Sequence, residues 1–167
     1  MIKVLKTNLD KVLLITPDVF EDLRGQYIEI YNEKLYRKNG IDVKFVQDDV
    51  AISSKNVLRG IHGDSETWKL ISCLEGKIYV VVVNCDTKSK DFGEWQSFDL
   101  SEENRQQILI PPKHGNSYLT LSDTSMFHYK QSTYYDRSRQ FTYKWNDPRF
   151  KIRWPIKNPI LSQRDQS

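Results

Sequence analysis

Histidine and cysteine are scarce in this 167-residue chain, with three and two copies. The cysteines, Cys73 and Cys85, stand in apolar stretches and in no metal-ligand spacing, so they read as reduced core thiols. The histidines, His62, His114 and His128, form no HxH pair, the arrangement that puts two metal ligands on one strand face, and no metal is expected. Long apolar runs are also lacking. The longest, Ile78 to Val83, is far below the roughly 20 residues needed to span a bilayer, and the mean hydropathy of −0.63 agrees with a chain that has no membrane segment. The opening stretch MIKVLKTNLDKVLLI is interrupted by Asn8, Asp10 and Lys11, unlike the apolar part of a secretory signal, so a cytoplasmic location is the expectation. Charge of one sign is missing too. Twenty-five basic and 22 acidic residues leave a net charge of +3, with no global field for coating a nucleic acid. An anionic ligand would have to be gripped by a few local cations. No linker, repeat or low-complexity tract divides the chain, which reads as one domain over residues 1–167.

What is present is aromatic and strand-forming. The chain has 4 Trp, 9 Tyr and 7 Phe, ample for a core, and strand-like segments recur about every 8–12 residues between turn signals. These are Val12–Ile15, Tyr27–Tyr31, Lys44–Gln47, Asn56–His62, Trp68–Leu74, Lys77–Asn84, Gln96–Leu100, Gln107–Ile110, Ser117–Leu121 and Ser125–Thr133. Helix is confined to about two turns from Asn32 to Lys38, stopped at Asn39-Gly40, and one capped turn at Ser101–Asn104. The run Ile78–Val83 has no polar alternation, so both of its faces should be covered, in a sandwich centre or a dimer interface. An all-β jelly roll with one or two short helices fits this density of strands, and its mouth is the natural place for a small-molecule site.

Two constellations carry chemistry. Asn56-Val57-Leu58-Arg59-Gly60-Ile61-His62-Gly63-Asp64 ends an apolar strand with Arg, His and Asp around two glycines, a mix suited to a binding or catalytic edge. The other is Tyr129, in Phe127-His128-Tyr129-Lys130-Gln131, followed by Tyr134-Tyr135. Strand alternation prevents His128 and Tyr129 from both facing the interior. Taken singly, Lys69 reads as a surface residue with a snorkelling stem and Tyr129 as core packing.

Asp22-Leu23-Arg24-Gly25, Phe45-Val46-Gln47-Asp48, Ser53-Ser54-Lys55, Val57–His62, Lys69-Leu70, Phe92–Trp95, Leu100-Ser101, Gln107–Pro111 and Trp145–Pro148 form an ordered set of motifs that runs from about Val12 to Asp165. In order and spacing this set resembles the dTDP-4-dehydrorhamnose 3,5-epimerases. The resemblance implies a cupin-like jelly roll without metal or cofactor, and a homodimer in which amino-terminal strands pair across subunits. It implies His62 as the base, Asp165 as the carboxylate orienting it, Lys69 as the stabiliser of an enolate, and Tyr129 as the proton donor on the opposite face of the sugar. Arg24 and Arg59 match diphosphate positions, Glu29 and Gln47 positions near the nucleoside, and Tyr135 an aromatic lining the site. The C-terminal tail, residues 155–167, would pack near that site to bring in Asp165. Arg59 and His62 can share one pocket only if the strand bends, and Gly60 is the expected place.

Three departures shape the substrate expectation. Only Gly63 to Trp68 separate His62 from Lys69, a shorter loop than the family's. Asn116 stands where the family has a second pocket histidine, and an amide can hydrogen-bond a ligand but cannot act as a base. Asp49 replaces the family's usual asparagine. These changes resemble a short-loop branch of surface-polysaccharide pathways, which implies a GDP-linked 4-keto-6-deoxy-heptose for capsule or lipopolysaccharide, or else a dTDP-4-keto-6-deoxyhexose. A 3,4-ketoisomerase and a non-catalytic sugar-nucleotide binding jelly roll are the alternative readings.

Overall fold

The computed structural model describes all residues, 1–167. Strands β1 (Lys3–Lys6), β2 (Leu13–Thr16), β3 (Val19–Asp22) and β4 (Gly25–Ile28) open the chain, and helix α1 (Glu33–Lys38) follows. Next come β5 (Gln47–Ser54), β6 (Leu58–Gly63), β7 (Lys69–Glu75), β8 (Lys77–Asn84) and β9 (Trp95–Ser101). The chain ends with β10 (Gln107–Ile110), β11 (His114–Thr120), β12 (Thr124–Gln131), the short β13 (Phe141–Thr142) and helix α2 (Gln163–Gln166). A six-stranded sheet, β1-β2-β10-β7-β12-β5, faces a five-stranded sheet, β13-β6-β11-β8-β9, with every pairing antiparallel. This is the all-β, cupin-like jelly roll with two short helices; β3 and β4 form a separate hairpin.

The unalternating run in β8 is covered on both faces. Ile78, Val80 and Val82 join the core between the sheets with Ile71, Leu100, Ile108 and Phe127. Val81 and Val83 face the other way and are roofed by the C-terminal segment through Phe141, Tyr143, Phe150 and Trp154. All four valines are fully buried, each contributing about 1.5–3 kcal/mol relative to exposure. The tail that covers them continues on to α2 and the cavity. On the outside of the six-stranded sheet, α1 buries Tyr36 against Ile15, Leu70 and Leu109. Asn32 caps that helix by accepting from the Leu35 N–H, and Asn39 closes it, within the stretch the sequence predicts.

Three stretches differ from expectation. β1 is a four-residue edge strand with a lysine at each end, a form that discourages edge pairing but carries little apolar signal. β3 and most of β4 are exposed, so no core-facing periodicity marks them. β5 begins where the expected strand Lys44–Gln47 ends, because its alternation is inverted. Asp49, Ala51 and Ser53 are its more buried residues, whereas Val50 and Ile52 are 54% and 66% exposed.

The bend expected in β6 is present. Asn116 is opposite His62 while Tyr118 is opposite Arg59, so β6 carries one residue more than β11 between these pairs. Gly60, at φ +106°, is the added residue, and a Cβ there would lie 2.5 Å from the Asn116 carbonyl oxygen. Only glycine suits that conformation and approach. The bulge turns Arg59 and His62 toward the same space.

Candidate active site

Between the sheets, at the end covered by α2, lies a cavity of about 550 Å³. His62, Lys69, Tyr129, Asp165, Arg59, Asn116 and Tyr135, seven of the residues singled out in the sequence, line it. His62 and Asn116 project from the five-stranded sheet, and Lys69 and Tyr129 from the six-stranded sheet opposite. The site therefore spans the sandwich, with acid and base candidates on different walls.

His62 Nε2 lies 2.5 Å from Asp165 Oδ1, a contact across 103 residues of sequence. Asp165 is 3% exposed and is held by its neighbours: Ser162 Oγ donates to Oδ2 at 3.0 Å, and the Gly60 N–H approaches Oδ2 at 3.4 Å. Burial alone would raise the Asp165 pKa, but the hydrogen bond and charge of His62, with the Ser162 and Gly60 donors, hold it below the usual carboxylate range. An ionised Asp165 accepts the proton on Nε2, which leaves the lone pair of His62 on Nδ1.

Lys69 is 7% exposed, contrary to its reading as a surface side chain. It heads β7 just after a loop tied down by Asp64, which accepts from the Thr67 N–H at 2.6 Å, the Thr67 hydroxyl at 2.7 Å and Gln140 Nε2 at 2.8 Å. This network explains how the short loop after His62 still returns a lysine to the cavity. Burial pulls the Lys69 pKa down to about 8, opposed by the Asp64 carboxylate and aided by Arg164. Across the space, Tyr129 packs on Phe127 with ring centroids 5.3 Å apart. Burial, reinforced by Asp49, Tyr118 and Tyr135, pushes the Tyr129 phenol up to about 12, so it is a neutral proton donor at physiological pH. Its neighbour His128 turns to the opposite face, 3.2 Å from Ser72 Oγ, as alternation requires.

Arg59 donates to Ser53 Oγ at 3.1 Å and reaches the cavity from β6. Gln47 stands behind the wall: its Oε1 accepts from the Tyr135 N–H at 2.9 Å. Asp49 accepts from Gln47 and Gln131, each at 2.8 Å, so its carboxylate braces the wall. Arg24 and Glu29 do not line the cavity of a single chain, contrary to the simplest form of the expectation. Arg24 sits at the tip of the β3–β4 hairpin, ion-paired to Asp22 at 2.6 Å, on an arm that has no core contacts to bend it inward. Conversely, Arg137, Gln140 and Arg164 line the cavity without having been singled out. Arg164 is fixed by two bonds to Thr142 Oγ1, at 3.0 and 2.8 Å, and Thr142 is the register partner of His62. The adjacency of Arg164 to Asp165 was the available signal; Arg137 had none beyond lying two residues after Tyr135.

A jelly roll whose two sheets enclose a His–Asp pair, a buried lysine and a neutral phenol, with arginines around them, has the chemistry of a site that can transfer protons on an anionic ligand. The comparisons with known proteins agree. A family model described as dTDP-4-dehydrorhamnose 3,5-epimerase matches residues 6–167. The epimerase of that name from Escherichia coli K12 is 39% identical over 168 residues, covering 98% of this chain and 91% of the relative. Among solved structures, the Legionella pneumophila epimerase in complex with dTDP-4-keto-L-rhamnose has a TM-score of 0.94 and 34% identity, covering 99% of this chain and 90% of that one. A 3'-monoepimerase from Streptomyces bikiniensis in complex with dTDP-quinovose has a TM-score of 0.90 and 28% identity, covering 96% and 83%. The chain belongs to the dTDP-4-dehydrorhamnose 3,5-epimerase family and is an isomerase of nucleotide sugars. No helix in it is long and apolar enough to cross a membrane.

Proposed function

We propose that this cytoplasmic enzyme epimerises C3, C5 or both in a dTDP-linked 4-keto-6-deoxyhexose. The observation that carries the reading is the His62–Asp165 pair on one wall facing the neutral Tyr129 on the other. His62 Nδ1 takes the proton from the carbon beside the C4 ketone. The electron pair of that C–H bond becomes the C–C4 double bond, and the carbonyl pair moves onto the C4 oxygen as an enolate. Lys69 donates to that oxygen in a buried space, where such an interaction is far stronger than in water. Collapse of the enolate takes a proton from Tyr129 on the opposite face, which inverts the centre. Solvent then reprotonates the phenolate and deprotonates the imidazolium. A binding-only module has no need of a base facing an acid.

For the carrier, the relatives described above are named for, or bind, dTDP sugars, and this favours dTDP over the GDP-linked heptose expected from the short loop. Neither the heptose nor a capsular role has a counterpart in those relatives. The monoepimerase leaves both one-centre and two-centre outcomes open to this fold.

A time course in deuterated buffer on dTDP-, GDP- and CDP-linked 4-keto-6-deoxy sugars tests the reading. Deuterium is expected at C3 or C5, fastest with the dTDP hexose. Absence of exchange with every substrate in folded protein overturns it, a carbonyl moved to C3 identifies a ketoisomerase, and turnover confined to a GDP heptose restores that carrier.

The working unit in this proposal is a homodimer. Val50 and Ile52 expose apolar surface on the outer face of an edge strand, and the hairpin exposes Phe20 and Tyr27, large apolar side chains that a second copy would cover. A second copy seated there would receive Arg24 at its cavity, as a diphosphate cation beside its own Arg59. Sedimentation should give twice the 19.8 kDa chain mass. Arg24→Ala should weaken substrate binding by about tenfold, the cost of one charge-assisted contact, while the dimer persists. A monomeric protein with full activity removes this part of the proposal.

A further inference from the structure

Asn116 is the register partner of His62, and its Oδ1 accepts the hydrogen bond of Lys69 Nζ at 3.1 Å. This is the single hydrogen bond of the Lys69 ammonium, which is almost wholly buried and forms no ion pair. A buried ammonium must be solvated by the protein or give up its proton. Here the solvating group is an uncharged amide oxygen, which accepts at every pH. We propose, building on the epimerase reading, that Asn116 is a positioning residue whose amide oxygen keeps Lys69 charged and directed at the C4 oxygen of the substrate.

The surroundings of Lys69 show why this one acceptor matters. Asp64, in the loop after β6, favours the charged form, and Arg164, on α2, opposes it. His62 and Arg59 from β6, Tyr129 from β12, Asp165 from α2 and Arg137 from the turn after β12 share the cavity. Asp165 is committed to His62, so its charge is already matched. With burial bringing the lysine down to about 8, a further fall leaves it neutral at physiological pH. A neutral amine cannot hold an enolate as an ammonium does.

The test follows the Lys69 ε-carbon by nuclear magnetic resonance in protein carrying 13C-lysine, with the signal assigned by its loss in Lys69→Met. Asn116→Leu removes the acceptor while keeping the branched shape of the side chain, and Asn116→Asp replaces it with a charged one. The Lys69 midpoint is expected to fall by about one unit, tenfold in the protonation equilibrium, in Asn116→Leu, and to rise in Asn116→Asp. The alkaline limb of kcat/KM for deuterium exchange should move the same way in each variant. The fall in Asn116→Leu is the deciding result, because a new carboxylate beside the ammonium raises its midpoint whatever the native amide does. Should Asn116→Leu fail to fold, Asn116→Val removes the same acceptor and is expected to lower the midpoint likewise. A midpoint unchanged in the folded variant that lacks the acceptor overturns the proposal. If the wild-type protein exchanges no deuterium with any sugar nucleotide, the epimerase reading falls separately, while the midpoints still decide whether Asn116 keeps Lys69 charged.

Discussion

Replacing His62 by asparagine is expected to lower proton exchange at the sugar by about 10²–10⁴-fold, the contribution of a positioned general base. Asparagine keeps a polar side chain but is shorter than the imidazole and does not reach as far as Nε2, so Asp165 keeps the Ser162 hydroxyl and the Gly60 N–H as its donors. What is lost is the lone pair on Nδ1, since an amide nitrogen has no basic pair and an amide oxygen is too weak a base. The other groups of the proposed mechanism, Lys69 for the ketone and the arginines for the nucleotide, are untouched. Nucleotide affinity measured by calorimetry should therefore stay within a few-fold of wild type, while exchange followed in deuterated buffer collapses. Retained exchange with retained binding would show that another group is the base.

Lys69→Met should move activity and stability in opposite directions. Methionine fills the space of the lysine stem but offers no donor to the enolate oxygen. Loss of one such donor costs about 10²–10³-fold in kcat. The fold, by contrast, is relieved. Lys69 releases its proton at about pH 8 in the folded chain and near its ordinary 10.5 when unfolded, so between those values the unfolded state binds more protons. Wild-type stability consequently rises with pH from about 8 to 10.5, and below 8 the buried charge carries its full cost of about 3 kcal/mol. Removing the group should raise Tm at pH 7 by several degrees, reduced by whatever the unpartnered Asn116 amide loses, and should flatten the alkaline rise. Thermal melts monitored by circular dichroism from pH 7 to 10 provide the check. A lower Tm together with unchanged turnover would mean that Lys69 is structural.

The opposite signs of these effects in Lys69 reflect a conflict between burial and charge that local sequence does not display. A lysine flanked by Trp68 and Leu70 has the pattern of a snorkelling side chain; only the Asp64-anchored loop and the facing Asn116 make it a buried ammonium. β5 is a related case. Its apolar residues point outward and its polar ones line the wall, so a reading that puts apolar side chains inside starts the strand too early and misses most of it.

Local rules were sufficient where one segment carries the whole physical cause. The unalternating β8 run required cover on both faces, Asn32 and Asn39 bounded α1, and alternation on β12 separated Tyr129 from His128. The spacing of strands led to a jelly roll, and the resemblance in ordered motifs led to His62, Lys69, Tyr129 and Asp165. The sequence by itself thus determined an all-β fold and the residue types gathered at the candidate site. Tertiary structure alone decided their arrangement. The Gly60 bulge turned Arg59 toward the side of His62, the C-terminal helix brought Asp165 across 103 residues to its partner, and the hairpin carried Arg24 away from the cavity of its own chain. Those outcomes depend on contacts between distant segments, whose register and approach are set by how two sheets pack, and no local periodicity encodes them.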